Sequence, residues 1–256
     1  MFIFIFIFMF IFFYYLNLIL SYEEKFSLNI IFLEKEVLYN ILINNKDNYY
    51  DTFYVNDFKT RGINNINEYE RYIKDSVSTI DYNDKIKIKK CIRDADIFLE
   101  SINFEWFNGS KAKKIPWKIG YVIGKLYEFG LPHTRDDIII LSRDNVKNYN
   151  INKLTKTLIH EKVHIYQKIY KDDVSIYLLK NKFTKFKKRD EDDNIRANPD
   201  LDNWIYKDSE NNLYTAIYNN NPKTIEDITY NPINNQSYEH PYEKMAIFIE
   251  KLKFKD

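Results

Sequence analysis

The sequence predicts one α+β domain, mostly helical, with a small sheet beside a long helix. Three observations carry this. The chain has 256 residues, 45% of them apolar, which is enough for one core and not clearly for two. Most of its patterned stretches repeat at helical spacing, and a single short β-branched run, Ile138 to Leu141, reads as a strand. Cys91 is the one cysteine, so no internal disulfide and no cysteine-based zinc staple supports the fold. Lys and Arg total 38 against 37 Asp and Glu. Bulk charge therefore gives no reason to expect a nucleic-acid partner.

In chain order, residues 1–20 form a hydrophobic segment, MFIFIFIFMFIFFYYLNLIL, without charge and with Asn17 as its strongly polar residue. Its length suits a membrane anchor. A cleaved signal peptide, which would send the chain into the secretory pathway, is the second reading, although the basic n-region is missing. A low-complexity extension is the third. Residues 21–114 are expected as the helical N-terminal part of the domain. Helices are expected over 66–75 and 82–102, the second with Ile88, Cys91, Ile92, Ala95 and Phe98 at helical spacing and Asn83 or Asp84 as cap. FEWFNGSKAKK reads as a loop turning at Gly109.

Residues 115–256 are expected as the core of the domain. Pro116 and Gly130 bracket a helix over 116–130, and the strand at Ile138 to Leu141 follows. NINKLTKTLIHEKVHIYQKIYKDD predicts a helix of about 18 residues, with Leu154, Leu158, Ile165 and Ile169 on its buried side. A further helix is expected over 175–188, where KFTKFKKRD reads as a solvated basic face. Residues 189–240 read as a long irregular segment. A closing helix over 241–253 has Pro241 in its first turn.

The chemistry lies in TLIHEKVHIYQ. In a helix His160 and His164 share one face, one turn apart, and can reach one tetrahedral ion. Glu161 sits about 100° around the axis, where it can touch a water on that ion without binding the ion. These are two zinc ligands and a general base. Chance supplies about 0.004 such matches in a chain of this composition, which favours the site over two incidental histidines. A catalytic zinc needs a third protein ligand. The longer motif that continues to a third histidine is absent: Gln167 and Tyr170 stand at its glycine and histidine positions. The best source is YEHPYEKMA, where Glu243 lies in the first turn of the closing helix and Ala246 would let that helix come close. His240 and Glu239 are the alternatives.

HEKVH with a downstream helical Glu in HPYEKMA resembles the gluzincin branch of zinc metallopeptidases. Together with GLPHTRDDIIIL and RANPD it is also similar to uncharacterised metallopeptidase-like proteins of large DNA viruses, over roughly residues 115–250. The resemblance implies a zincin-like fold in which a strand beside the active helix holds an extended substrate. It implies Zn2+ on His160, His164 and Glu243, with Glu161 as the base in hydrolysis of a peptide or protein. Glu243 matches outside the family's usual Asn-Glu or Glu-x-x-x-Asp context. Candidate oxyanion donors are His240 and Tyr242 first, then His133, Tyr238 and Arg196, with 196–200 steadying the ligands. The alternative is a membrane-tethered, inactive binding protein whose zinc is structural. A chain without metal is the third possibility.

Overall fold

The computed structural model describes residues 29–189, 194–232 and 238–253. The apolar segment 1–20 lies outside them. No helix among the described residues is long and apolar enough to cross a membrane.

The domain is α+β. In chain order it runs β1 (Ile30–Phe32), α1 (Lys35–Asn44), α2 (Val55–Arg61), α3 (Ile66–Ser76), α4 (Tyr82–Glu100), β2 (Asn103–Phe104), β3 (Phe107–Asn108), α5 (Gly109–Lys114), β4 (Trp117–Val122), β5 (His133–Arg135) and β6 (Ile138–Ser142). It continues through α6 (Arg143–Asn148), α7 (Ile151–Ile169), α8 (Lys171–Lys180), β7 (Thr184–Lys188), β8 (Trp204–Lys207), β9 (Leu213–Tyr218), β10 (Ile228–Asn231) and α9 (Pro241–Leu252). Two four-stranded sheets result. The first has the order β1-β4-β6-β5, parallel except for β5. The second has the order β10-β9-β8-β7 and is antiparallel throughout.

The first sheet is covered on both faces, which suits its near-continuous apolar strands. Trp117, Ile119, Tyr121, Ile139 and Leu141 pack into the larger core with residues of α4, α7 and α9. Val122, Ile138 and Ile140 face the other way, against Leu38 and Leu42 of α1 and Tyr69 and Ile73 of α3. The alternation is the two-residue period of a strand. Gly120 permits the approach of α1, because a Cβ there would lie 2.7 Å from side-chain carbons of both Leu38 and Ile140.

Several expected elements are corrected. The helix expected over 116–130 is β4 followed by turns, with Glu128 and Phe129 in the left-handed region. A short apolar run carries no intrinsic preference between helix and buried strand, and pairing with β1 and β6 decides it here. The helix expected over 175–188 stops at Lys180, and the chain turns into the solvent-exposed edge strand β7. Lysines at 185, 187 and 188 suit an edge that must not recruit another chain. The stretch expected to be irregular contains β8, β9 and β10, whose short alternation is broken up by Asn- and Asp-rich turns. The expected loop at Gly109 is a hairpin and the start of α5. Asp81, not Asn83 or Asp84, caps α4, accepting from the Asp84 N–H at 2.9 Å. Ile169 is exposed at the end of α7.

One buried ionic cluster ties the layers together. Arg61 donates to Glu128 at 2.8 and 2.9 Å and to the Tyr49 hydroxyl at 2.6 Å. Asp57 accepts from Arg189 at 2.6 Å, the Ala197 N–H at 2.9 Å and the Tyr218 hydroxyl at 3.0 Å. Burial would raise the Glu128 carboxyl, but the Arg61 guanidinium outweighs it and holds the group down to about 2.

Removing one partner of such a cluster strands the others in the interior, so Asp57→Ala should cost about 3–5 kcal/mol in urea unfolding. Glu128 has a depressed folded pKa against an ordinary value of 4.5. Its stabilisation is therefore present above about 4.5 and lost as pH falls toward about 2. Unfolding free energy should fall less steeply over that window in Glu128→Gln than in the unmodified chain.

Candidate metal centre

Helix α7 begins at Asn150, whose side chain accepts from the Lys153 N–H at 2.8 Å. From Leu158 to Gln167 it is buried on nearly every side, with α4 packed on one flank and α9 on another. Leu154, Leu158, Val163 and Ile165 enter the core and set the rotation of the helix. That rotation turns His160, Glu161 and His164 toward α9. There Met245, Ala246 and Ile249 are fully buried, and the small Ala246 side chain suits the close approach. His240 caps α9, its Nδ1 accepting from the Tyr242 N–H at 3.1 Å. Glu243 then falls in the first turn, where the helix dipole also favours a carboxylate.

His160, His164 and Glu243 are the group of potential metal ligands that comes together among the described residues. The two Nε2 atoms lie 3.0 Å apart. His160 Nε2 is 3.3 Å from Glu243 Oε2, and His164 Nε2 is 3.5 Å from Glu243 Oε1. Ligand bonds of about 2.0–2.1 Å in a tetrahedron place donor atoms roughly 3.3 Å apart. The spacing fits a zinc-sized ion.

The outer nitrogens show which atoms carry protons. Gln167 Nε2 donates to the Tyr242 carbonyl at 2.9 Å, which turns Gln167 Oε1 toward His164. His164 Nδ1–H donates to that oxygen at 2.9 Å. His160 Nδ1–H donates to Glu250 Oε2 at 3.1 Å. In their neutral form both imidazoles therefore turn a bare Nε2 inward, toward a carboxylate. Three lone-pair donors converge in a buried space, an arrangement that a cation relieves. A proton is the other relief: burial opposes it, yet Glu243 and Glu250 hold the His160 imidazole well above its ordinary range. Burial works against ionised Glu243 too, and the two histidines hold it well below the carboxylate range. Two imidazoles and a carboxylate are a donor set suited to Zn2+.

A cavity of about 420 Å3 opens beside this group, and His160, Glu161 and Glu243 are among its lining residues. Glu161 is buried, and its Oε2 has no hydrogen-bond partner. Burial first, then Asp200, pushes its carboxyl up to about 8. It stands beside the ligands without joining them, as the spacing of the motif requires.

The other candidates separate. Neither His240 nor Tyr242, expected as oxyanion donors, lines this cavity. Tyr242 donates its hydroxyl to Asp202 Oδ2 at 3.1 Å, and His240 Nε2 lies 3.1 Å from Asp202 Oδ1. His133 does line the cavity, but its Nδ1–H donates to the Leu131 carbonyl at 2.8 Å and its Nε2 faces the Tyr127 hydroxyl at 3.3 Å. Burial lowers its pKa, against an opposing pull from Glu128 and Asp200. Tyr238 is not among the lining residues, whereas Arg196 and Tyr230 are. Glu239 is ion-paired with Arg196, not part of the ligand group. Asn198 donates to Glu239 at 2.8 Å and reaches within 3.5 Å of Glu243 Oε1, so the 196–200 segment touches Glu243.

Sequence reasoning missed Gln167, Glu250 and Tyr230. The first two had a helical signal: Gln167 is three residues after His164, and Glu250 is seven after Glu243. Tyr230 had none, because β10 is too short to announce itself. No family model, curated protein or solved structure matches the chain.

Outer partners of metal-binding histidines are worth about 10- to 100-fold in affinity. Gln167→Leu should weaken zinc binding by that factor in a chelator-competition titration, and Glu243→Ala should weaken it further.

Proposed function

We propose that this chain is a zinc-dependent metallopeptidase of zincin-like fold and gluzincin type, acting on a peptide or protein substrate. The observation that carries the reading is the convergence of two bare imidazole nitrogens and one carboxylate at tetrahedral spacing, beside a cavity-lining glutamate whose Oε2 has no hydrogen-bond partner. A structural zinc takes four protein ligands, whereas a catalytic one takes three and leaves a position open. Three ligands and an adjoining cavity favour catalysis over the inactive binding protein.

Zinc bound here would supply Lewis acidity, polarising a carbonyl and lowering the pKa of water to about 7. The remaining work belongs to the chain. The Glu161 carboxylate accepts a proton from the attacking water and hands it to the leaving amine. Burial and Asp200 push the Glu161 carboxyl up, and a cation on the neighbouring His160, His164 and Glu243 would pull it back toward the ionised form that a base needs. Arg196 and Tyr230 also line this cavity and are the candidates to donate to a developing oxyanion. His160 and His164 are held by Glu250 and Gln167, so the ligands need little reorganisation. The apolar residues 1–20 would tether the domain to a membrane.

Full-length chain purified in detergent should carry about one zinc, read by elemental mass spectrometry, and His160→Ala/His164→Ala should carry none. Glu161→Gln should keep the zinc and lose about 10²- to 10⁴-fold of its peptide hydrolysis. Retained hydrolysis would remove Glu161 as the base, and absence of zinc would remove the reading.

A further inference from the structure

In the zincin arrangement the strand beside the active helix holds the substrate, and here that strand is β5. Its outer edge has no donor to give. The Thr134 N–H leaves the sheet and donates to Asp200 Oδ1 at 2.6 Å, so in this antiparallel pair the outward positions are 132, 134 and 136. Pro132 has no N–H. The Thr134 carbonyl accepts from Lys168 Nζ at 3.2 Å. The Asp136 N–H donates to Asp47 Oδ2 at 3.3 Å. The sequence LPHTRDD, with Asp47, Lys168 and Asp200 around it, seals this edge from within the chain.

The edge of β10, which lines the same cavity, is different. There the Asn219 N–H donates to the Asp227 carbonyl at 2.9 Å, which makes 227 and 219 a hydrogen-bonded pair. By alternation Thr229 turns toward β9, while Ile228 and Tyr230 turn their backbone groups outward. The Ile228 N–H is used locally, on the Glu226 carbonyl. This leaves the Ile228 carbonyl and the Tyr230 N–H and carbonyl directed away from the sheet. Among the described residues no strand pairs with that edge. Ile228 and Tyr230 line the cavity that also holds His160, Glu161 and Glu243.

We propose that β10, not β5, is the docking strand: an extended peptide segment of the substrate adds to its outer edge through the Tyr230 N–H and carbonyl. The inference rests on the peptidase reading. A polypeptide backbone is the occupant because it alternates donor and acceptor at the spacing this edge presents. Ile228 and Tyr230 line the same cavity as His160, Glu161 and Glu243, so a strand added at this edge lies at the cavity that holds Glu161.

The test uses oxidised insulin B chain as probe and zinc-loaded full-length Glu161→Gln, which should bind the peptide without cutting it. Amide hydrogen exchange should slow about tenfold or more at 228–231 when the peptide is added, with no change at 132–136. In the otherwise unmodified enzyme, Tyr230→Pro removes an outward N–H that an edge strand can spare. Its KM should exceed that of Tyr230→Ala by about tenfold. Protection at 132–136 instead, or equal KM values for the two variants, overturns the docking strand. If the unmodified enzyme cuts the B chain while exchange at β10 is unaltered, this inference alone falls. If it holds zinc but neither binds nor cuts the peptide, the peptidase reading falls and takes this one with it.

Discussion

Everything around the centre answers one electrostatic constraint: three lone-pair donors face one another in a buried space. Two Nε2 atoms 3.0 Å apart, with a carboxylate at 3.3 and 3.5 Å, repel unless positive charge lies between them. A chain holds such a group only if other interactions over-determine it. Here they do. Glu250 and Gln167 fix the protons on the outer nitrogens, and Gln167 is itself fixed by the Tyr242 carbonyl at the start of α9. The amide that orients His164 thus also links the helix bearing two ligands to the helix bearing the third. Between those helices Met245, Ala246 and Ile249 pack without exposure. Apolar burial supplies the driving force, and the hydrogen bonds choose the arrangement.

A second layer of constraint holds the loops over the site. Residues 196–200 have no regular structure of their own, yet each end is pinned. The Ala197 N–H donates to Asp57, Asn198 reaches Glu239 and Glu243, and Asp200 accepts from Thr134. Asp57 belongs to the Arg61–Glu128 cluster, so buried charge near the N-terminal helices fixes the wall of a cavity whose ligands come from residues 160–243. This is why the N-terminal helices and the later residues share cores instead of forming separate units.

What was legible in the sequence was what a single helix determines. His160, Glu161 and His164 are related by helical geometry alone, and the two helices that carry the ligands are patterned strongly enough to read. Glu243 was reachable because Pro241 marks the start of α9 and Ala246 marks a close face. What failed depended on partners distant in the chain. Residues 117–122 become a strand because Ile30–Phe32 and Ile138–Ser142 flank them, not because of their own pattern. The strands between 204 and 231 are four to six residues long and separated by Asn-rich turns, below what periodicity resolves. His240 and Tyr242 were favoured for nearness to Glu243 in sequence, but in a helix the residue before a given one points about 100° away. Tyr242 therefore faces Asp202, while Glu243 faces the histidines.

The same rotation explains the least expected residue of the motif. Lys162 lies midway between the two histidines, so its side chain leaves the helix on the opposite face, toward the core. It is fully buried, with its ammonium donating to the Ile115 and Pro116 carbonyls and lying 4.0 Å from the Trp117 ring centroid. Burial pushes the amine down to about 7 against an opposing pull from Asp96. An apolar residue would fill that space without the desolvation cost. What the lysine adds is direction, because two carbonyls at the start of β4 and one aromatic face admit it in a single orientation. A turn of α7 by one residue, about 100°, would withdraw Lys162 from those carbonyls while removing His160 and His164 from Glu243. Polar groups on both faces thus allow the helix one rotation, the one that brings His160 and His164 to Glu243.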